Sequence, residues 1–503
     1  MRIVSYLCDN LDEVKFMNRS KVLFLLLNLL CVAGLTQVSA DTFKPASLFP
    51  TDALHAKVLS NGVHAVVRTT PGSGVVSLQV WVEAGSRFET ASTNGATHII
   101  EMLAMQGSKN YPTQTAGQLS GPQTKLENLG GQVNSLTSRD DIFWSVTLAS
   151  SGLPQATKIM ADAVLNPDLS DSSVAAAKAI AANDWVQSRV DPVGYASELA
   201  YQEAFPKHPY HQPAQGDLNS IKALTGHNVR EYDAQRFTGS HLHVVVVGDV
   251  DAAATMQLLE STFGTAPKTV KAETPISPAE PLKGVHQISK RGVLPIQIVT
   301  LAWRSPGITS PKETVATDIL LTYLNEGSNA KLRQVLQNGA ADDDAAGNNP
   351  GAQPTGLAGG FSADYLTQHD SGLFLINIIA PTDMAQATAA VRDLMAQAGT
   401  GLAAPDLESA KTLLRRQYVQ QANNTNGQAG AIGFYDAIDS YQYAVNYLNL
   451  VQQTTSEDIA KVAKKYFSSD NYVQVTLLPA LNNQQQNNSP GIVASLRLEE
   501  PRA

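Results

Sequence analysis

Apolar positions Val76, Leu78, Val80 and Val82 alternate with Ser77, Gln79 and Trp81. A period of two predicts a strand with one face buried. NGATHIIEMLAMQG (94–107) has helical spacing and predicts a helix stopped by Gly107. LENLGGQVNSLTSRDDIFWSV (126–146) predicts a helix end, a Gly-Gly turn and a hairpin. SDSSVAAAKAIAANDWVQSRV (170–190) predicts a longer helix, with Ser170 or Asp171 as N-cap and Pro192 beyond its end. Strands, then helices, then strands again make an α+β order rather than a doubly wound one.

This order occurs twice. NVREYDAQRFTGSHLHVVVV begins at Asn228, and DIAKVAKKYFSSDNYVQVTL begins at Asp458. At this offset Val229, Tyr232, Arg236 and Phe237 fall opposite Ile459, Val462, Tyr466 and Phe467. VSLQVWVEAG (76–85) likewise resembles IQIVTLAWRSPG (296–307). So long a period predicts a duplicated domain rather than a solenoid. Residues 265–284 carry four prolines and no aliphatic pattern, which predicts a linker. The expected organisation is one domain over 41–264, the linker, a second domain over 285–481, and a polar tail over 482–503.

The first 40 residues differ in kind. Arg19 and Lys21 precede the 13-residue apolar run VLFLLLNLLCVAG (22–34), and Val38-Ser39-Ala40 follows. That order predicts a secretory signal cleaved after Ala40, with Met17 as a possible true start; an uncleaved anchor helix is the alternative. Cys8 and Cys31 both fall in the removable segment, and a cysteine-free exported chain suits a bacterial periplasm. The whole chain has 503 residues and a net charge of −9 without a basic run, which argues against nucleic-acid binding. Apolar residues make up 43%, enough for buried cores.

Candidate chemistry starts in the 94–107 helix. His98, Glu101 and Met102 stand at i, i+3 and i+4, on one helix face. The inverted zinc motif H-x-x-E-H uses this spacing, with two imidazoles for the metal and a carboxylate that activates water. Here Met102 replaces the second His, and a thioether is a soft ligand ill-suited to zinc. His208 and His211 in KHPYHQP are spaced for a metal pair or a structural loop. His241 and His243 flank a strand start and are expected at the surface. Asp342, Asp343 and Asp344 read as a solvated acidic loop.

VLSNGVHAVVRTTPGSGVVSLQVWVEAGSRFE, NGATHIIEMLAMQGSKNYP, the 126–146 segment, ADAVLNPDLS (161–170), AFPKHPYHQPAQG (204–216) and SGLFLINI (371–378) together resemble the pitrilysin, insulinase and mitochondrial processing peptidase family. The resemblance implies two homologous α+β domains in tandem, each an antiparallel sheet packed with helices, facing each other across a chamber. It implies His98 as first ligand and Glu101 as general base. Its third ligand falls on Asp184, one methylene short of Glu, and its supporting Glu falls on Ala177. Substrate-binding Arg and Tyr of active relatives fall on Gln337 and Gly359, around an acidic insertion. Gly131, Val133, Asn134 and Ser135 match the family's substrate-pairing edge strand, where Asn134 otherwise fixes a turn.

These departures make the chain a catalytically degenerate metallopeptidase homologue. The expected role is a non-catalytic partner that binds extended peptides beside an active family member, in a hetero-oligomer. No cofactor is expected on that reading, and no membrane contact after signal cleavage. Two alternatives stand: an active zinc metallopeptidase with a non-standard ligand set, and a structural subunit like the family's respiratory core proteins.

Overall fold

The computed structural model describes Phe49 and residues 53–115, 117–269, 275–337, 356–467 and 469–480. The predicted signal segment with Met17, Cys8 and Cys31 lies outside the described residues, as do Asp342–Asp344 and the 482–503 tail.

The N-terminal half opens with β1 (Leu54–Val58), β2 (His64–Thr69) and β3 (Val75–Val82). Helix α1 (Ala96–Gln106), a small ribbon of β4 (Gln114–Thr115) and β5 (Gln118–Leu119), and α2 (Pro122–Asn128) lead to the hairpin β6 (Gln132–Thr137) and β7 (Ile142–Ala149). Helices α3 (Leu153–Leu165), α4 (Asp171–Ser188), α5 (Pro192–Ala204), α6 (Leu218–Ala223) and α7 (Gly226–Arg236) precede β8 (Leu242–Gly248) and α8 (Ala252–Thr262). Six strands form one sheet in the order β1-β2-β8-β3-β7-β6. Leu78, Val80, Val146, Val244 and Val246 on one face of this sheet share a core with Ile99 and Leu103 of α1, Ile159 of α3 and Val229 of α7. Removing such side chains from water is the main favourable term in folding.

The C-terminal half repeats the plan. It runs through β9 (Val285–Arg291), β10 (Ile298–Arg304), α9 (Pro311–Asn325), α10 (Lys331–Leu336), β11 (Ala358–Tyr365) and β12 (Leu373–Pro381). Then come α11 (Met384–Ala398), α12 (Ala404–Gln421), α13 (Thr425–Ile438), α14 (Gln442–Gln453), α15 (Ser456–Tyr466) and β13 (Tyr472–Leu478). Its sheet is ordered β11-β12-β10-β13-β9. The duplication reaches individual hydrogen bonds: Thr225 and Asn228 form a capping box on α7, and Thr455 and Asp458 form the matching box on α15. Residues 266–269 and 275–284, between the two sheets, hold no helix or strand.

Neither sheet is wholly antiparallel, which corrects the expectation. β2 pairs with β8, and β9 with β13, in parallel. The helices between the first and last strands return the chain to the same end of the sheet. β8 then becomes a central strand with every residue buried, so its run of four valines carries no alternation.

The halves touch through an exchange of equivalent helices. From α5, Ala196, Leu199, Ala200 and Ala204 pack on Ile298, Ala302, Val473 and Val475 of the C-terminal sheet. In return α13 lies on β3 and β8 of the N-terminal sheet. There Gln79 Nε2 donates to the Asn426 backbone carbonyl at 3.0 Å. A part-buried ion pair adds to the contact, with Arg87 Nε 2.7 Å from Asp370 Oδ2.

Candidate functional site

Helix α1 is fixed at its N-terminus and at its middle. Gly95 at its N-cap has φ +96°, a backbone region open to glycine. The buried Glu89 carboxylate accepts from the backbone N–H groups of Gly95 and Thr97 at 2.9 and 2.8 Å, and so serves as an external cap. Further along, Trp144 Nε1 donates to the Glu101 carbonyl at 3.2 Å. Ile99, Ile100 and Leu103 enter the core, and His98 and Glu101 lie side by side, both buried.

Glu101 is engaged through one carboxylate oxygen. Its Oε2 accepts from Thr137 Oγ1 at 2.6 Å and lies 3.1 Å from His98 Nδ1. Burial alone would raise its pKa, but bonds from His98, Thr137 and Ser135 outweigh that and hold the carboxyl below its usual range. Such a carboxylate is ionised but tied down, unlike a general base facing water. His98 Nε2 is buried without a hydrogen-bond partner, and Asp184 Oδ2 lies 3.6 Å from it. Asp184, on α4, is 41% exposed. Helix α4 starts where expected, with Ser170 accepting from Ser173 N.

Zinc does not fit this arrangement as a catalytic metal. One imidazole nitrogen and one part-exposed carboxylate face each other at 3.6 Å, where three protein ligands and a water are needed. Met102 packs its side chain against the core. Ala177, two turns before Asp184, is fully buried in the same core. Among the described residues, His98, Glu101 and Asp184 do not bring three ligand atoms within reach of one ion.

The hairpin predicted within 126–146 forms as β6 and β7. Gly131 lies against the Leu126 carbonyl, where a Cβ would come within 2.7 Å. It leads into β6, which among the described residues pairs only with β7 and forms one edge of the sheet. Asn134 is opposite Ser145 in this ladder, so it belongs to a strand and not to a turn. Asn134, Ser135 and Leu136 are exposed and Val133 is half-buried. Thr137 of the same strand reaches Glu101, so edge strand and α1 meet. Gln337 ends α10, and Gly359 lies on β11, the edge of the other sheet.

The other histidines divide. His208 is buried, accepts from Tyr210 N through Nδ1 at 3.2 Å and faces Asp370, a structural role. His211 donates from Nδ1 to the His208 carbonyl at 2.8 Å. His241 and His243 are buried, which corrects their expected surface position. Helix α13, from the other half, covers the strand face that would otherwise be exposed. His243 Nδ1 is 2.7 Å from Asp436 Oδ2 and Nε2 is 3.2 Å from Glu83 Oε1. Burial opposes its charge, but the two carboxylates win and push its pKa up to about 9. His64 completes this cluster. No spacing could have revealed it, because Asp436 is 193 residues from His243.

Duplicated α+β halves, an H-x-x-E helix and an adjoining edge strand define the architecture of an inverted-motif metallopeptidase. The chain belongs to peptidase family M16. Residues 64–216 match the insulinase (peptidase family M16) model, and residues 223–414 match the peptidase M16 inactive domain model. The chain is 25% identical over 450 residues to the mitochondrial-processing peptidase subunit beta of Blastocladiella emersonii, covering 86% of this chain and 90% of that one. It is 25% identical over 308 residues to human cytochrome b-c1 complex subunit 1, covering 60% of this chain and 62% of that one. A protease structure from Helicobacter pylori superposes with a TM-score of 0.74 at 20% identity, over 85% of this chain and 99% of that one. At that identity the superposition speaks for fold alone.

Proposed function

We propose that this chain is a catalytically silent member of family M16, exported to a bacterial periplasm, which binds extended peptides as the partner of an active family member. The observation that carries this reading is the state of α1: Glu101 Oε2 is engaged by Thr137 and His98, and a half-buried Met102 thioether stands where the second imidazole is needed. A thioether is a soft ligand, ill-suited to zinc. The open edge of β6 supports peptide binding, since an added strand needs only backbone hydrogen bonds. A second chain would complete the chamber that the family resemblance implies.

The test is purification of the mature chain from its native host. It should begin at Asp41, cleave no unfolded substrate by itself, and bring with it a relative carrying an intact H-x-x-E-H. Membrane redox subunits as companions would instead favour the structural-subunit reading.

One observation favours the second reading, an active zinc enzyme: the unpartnered His98 Nε2 faces Asp184. On that reading His98→Ala removes bound zinc and Glu101→Gln abolishes hydrolysis. Cleavage by the isolated chain that Glu101→Gln eliminates would overturn the silent assignment.

A further inference from the structure

We propose that His64, His243 and Asp436 form a second metal site, at the contact between the two halves, for a divalent transition-metal cation of the Zn²⁺ type. His64 of β2 stands directly opposite His243 of β8 in their parallel ladder, so both imidazoles leave the same face of the sheet. Their ring centroids are 4.8 Å apart. Helix α13 of the other half brings Asp436 onto this pair. The three ligand atoms lie within 4.8 Å of one another, the one such group among the described residues.

The distances suit a tetrahedral ion. Asp436 Oδ2 is 2.7 Å from His243 Nδ1 and 3.8 Å from His64 Nδ1. Ligands bound at about 2.0–2.2 Å around zinc stand roughly 3.3 Å apart, between those two values. Small side-chain rotations therefore admit the ion. Asp436 is held for single-oxygen ligation, because its Oδ1 accepts from Tyr441 N at 3.1 Å. The other nitrogen of His243 faces Glu83 at 3.2 Å, the carboxylate–histidine pairing that orients metal-bound imidazoles. His64 is 44% exposed, which leaves a way in and room for a water as fourth ligand.

Binding is an exchange. The cation takes the lone pair of His243 Nδ1, and the proton held there between Nδ1 and Asp436 passes to solvent. With two ligands from one half and one from the other, the ion would staple the halves together. This site is separate from α1 and independent of whether the chain is a peptidase.

The experiment is a calorimetric titration of the chelator-stripped full chain with Zn²⁺. One equivalent should bind, and binding should persist in His98→Ala. His64→Ala, at a half-exposed position, should weaken it at least tenfold without unfolding the chain. Asp436→Asn should do the same, and Glu83→Gln should weaken it about tenfold. Zn²⁺ should also raise the thermal midpoint of the parent and leave that of His64→Ala unchanged. No binding, or binding lost in His98→Ala and kept in His64→Ala, would overturn the proposal and leave the cluster a proton-bridged ion pair.

Discussion

Gly433 of α13 is seated against the indole of Trp81 on β3: a Cβ at this position would fall 2.1 Å from Trp81 Nε1. Glycine in a helix interior normally costs about 1 kcal/mol against alanine. Here the close approach of a helix from one half to a strand of the other requires it. One turn earlier, Gly430 has its nearest neighbours at 3.9 Å, the Gln79 amide atoms, which is ordinary contact.

The two glycines therefore respond to the same substitution with opposite signs. Gly430→Ala should stabilise by about 0.5–1 kcal/mol through helix propensity. Gly433→Ala should destabilise by about 1–3 kcal/mol, because the indole or the helix must move. Urea midpoints of the two variants check this. Equal shifts would mean that α13 does not pack on β3 as described.

Asp233 supplies a pH dependence. Its Oδ1 is buried without a hydrogen-bond partner, and burial alone pushes the carboxyl up to about 7. In the unfolded chain an aspartate titrates at about 3.9. Below that value both states are protonated and the group favours neither. As pH rises toward about 7 the unfolded state releases its proton first, so this group's contribution falls with pH. Asp233→Asn removes the loss and should stabilise by about 1–2 kcal/mol at pH 8 and by little at pH 4. Thermal midpoints at both pH values are the measurement. An equal gain at both would remove titration as its cause.

The β6 edge gives a prediction that needs no mutation. If extended peptides add to this strand, alternate backbone amides within 132–137 gain an acceptor. Hydrogen exchange should slow by about tenfold or more at those amides when a saturating unfolded peptide is added. Exchange at β11, the edge of the other sheet, is the control. Unchanged exchange at β6 with peptide demonstrably bound elsewhere would exclude the edge as the docking strand.

Much of the fold was legible because duplication writes it twice. Thr225 and Thr455 open matching helices, and Phe237 and Phe467 close them at the same offset. Helices α1 and α4 followed from apolar spacing, Gly107 and Ser170. The parallel pairs were not legible, because a strand's direction relative to its neighbour depends on the whole crossover. The α1 site could be judged by residue type: Met102 and Ala177 lack imidazole and carboxylate, and in the structure Ala177 is buried in the core while Met102 packs half-buried against it. The position of His243 was misjudged for a tertiary reason. Its strand face is covered by a helix from the other half, and LHVVVV contains no sign of that cover.

Rebuilding the α1 site takes more than one substitution. Met102→His restores the H-x-x-E-H face, so two imidazoles could meet a cation. The third ligand would still be Asp184, whose carboxylate stops roughly 1.5 Å short of a glutamate's, while zinc–oxygen bonds fall within about 2.0–2.2 Å. Met102 also contributes to the core, so the imidazole gives up some apolar contact. The single change should therefore bind Zn²⁺ weakly, and Met102→His with Asp184→Glu should bind at least tenfold better. A His64→Ala background restricts the measurement to this site. Cleavage should stay poor even in the double variant. Glu101 remains held by Thr137, and at the positions where the family resemblance expects a substrate-binding Arg and Tyr this chain has Gln337 and Gly359. Misplacement of about 1 Å costs on the order of 10²-fold in rate. Zinc affinity and peptide turnover across parent, both single variants and the double variant decide the matter. Full turnover from Met102→His alone would show that the ligand on α4 and the losses in the second half do not limit the chemistry.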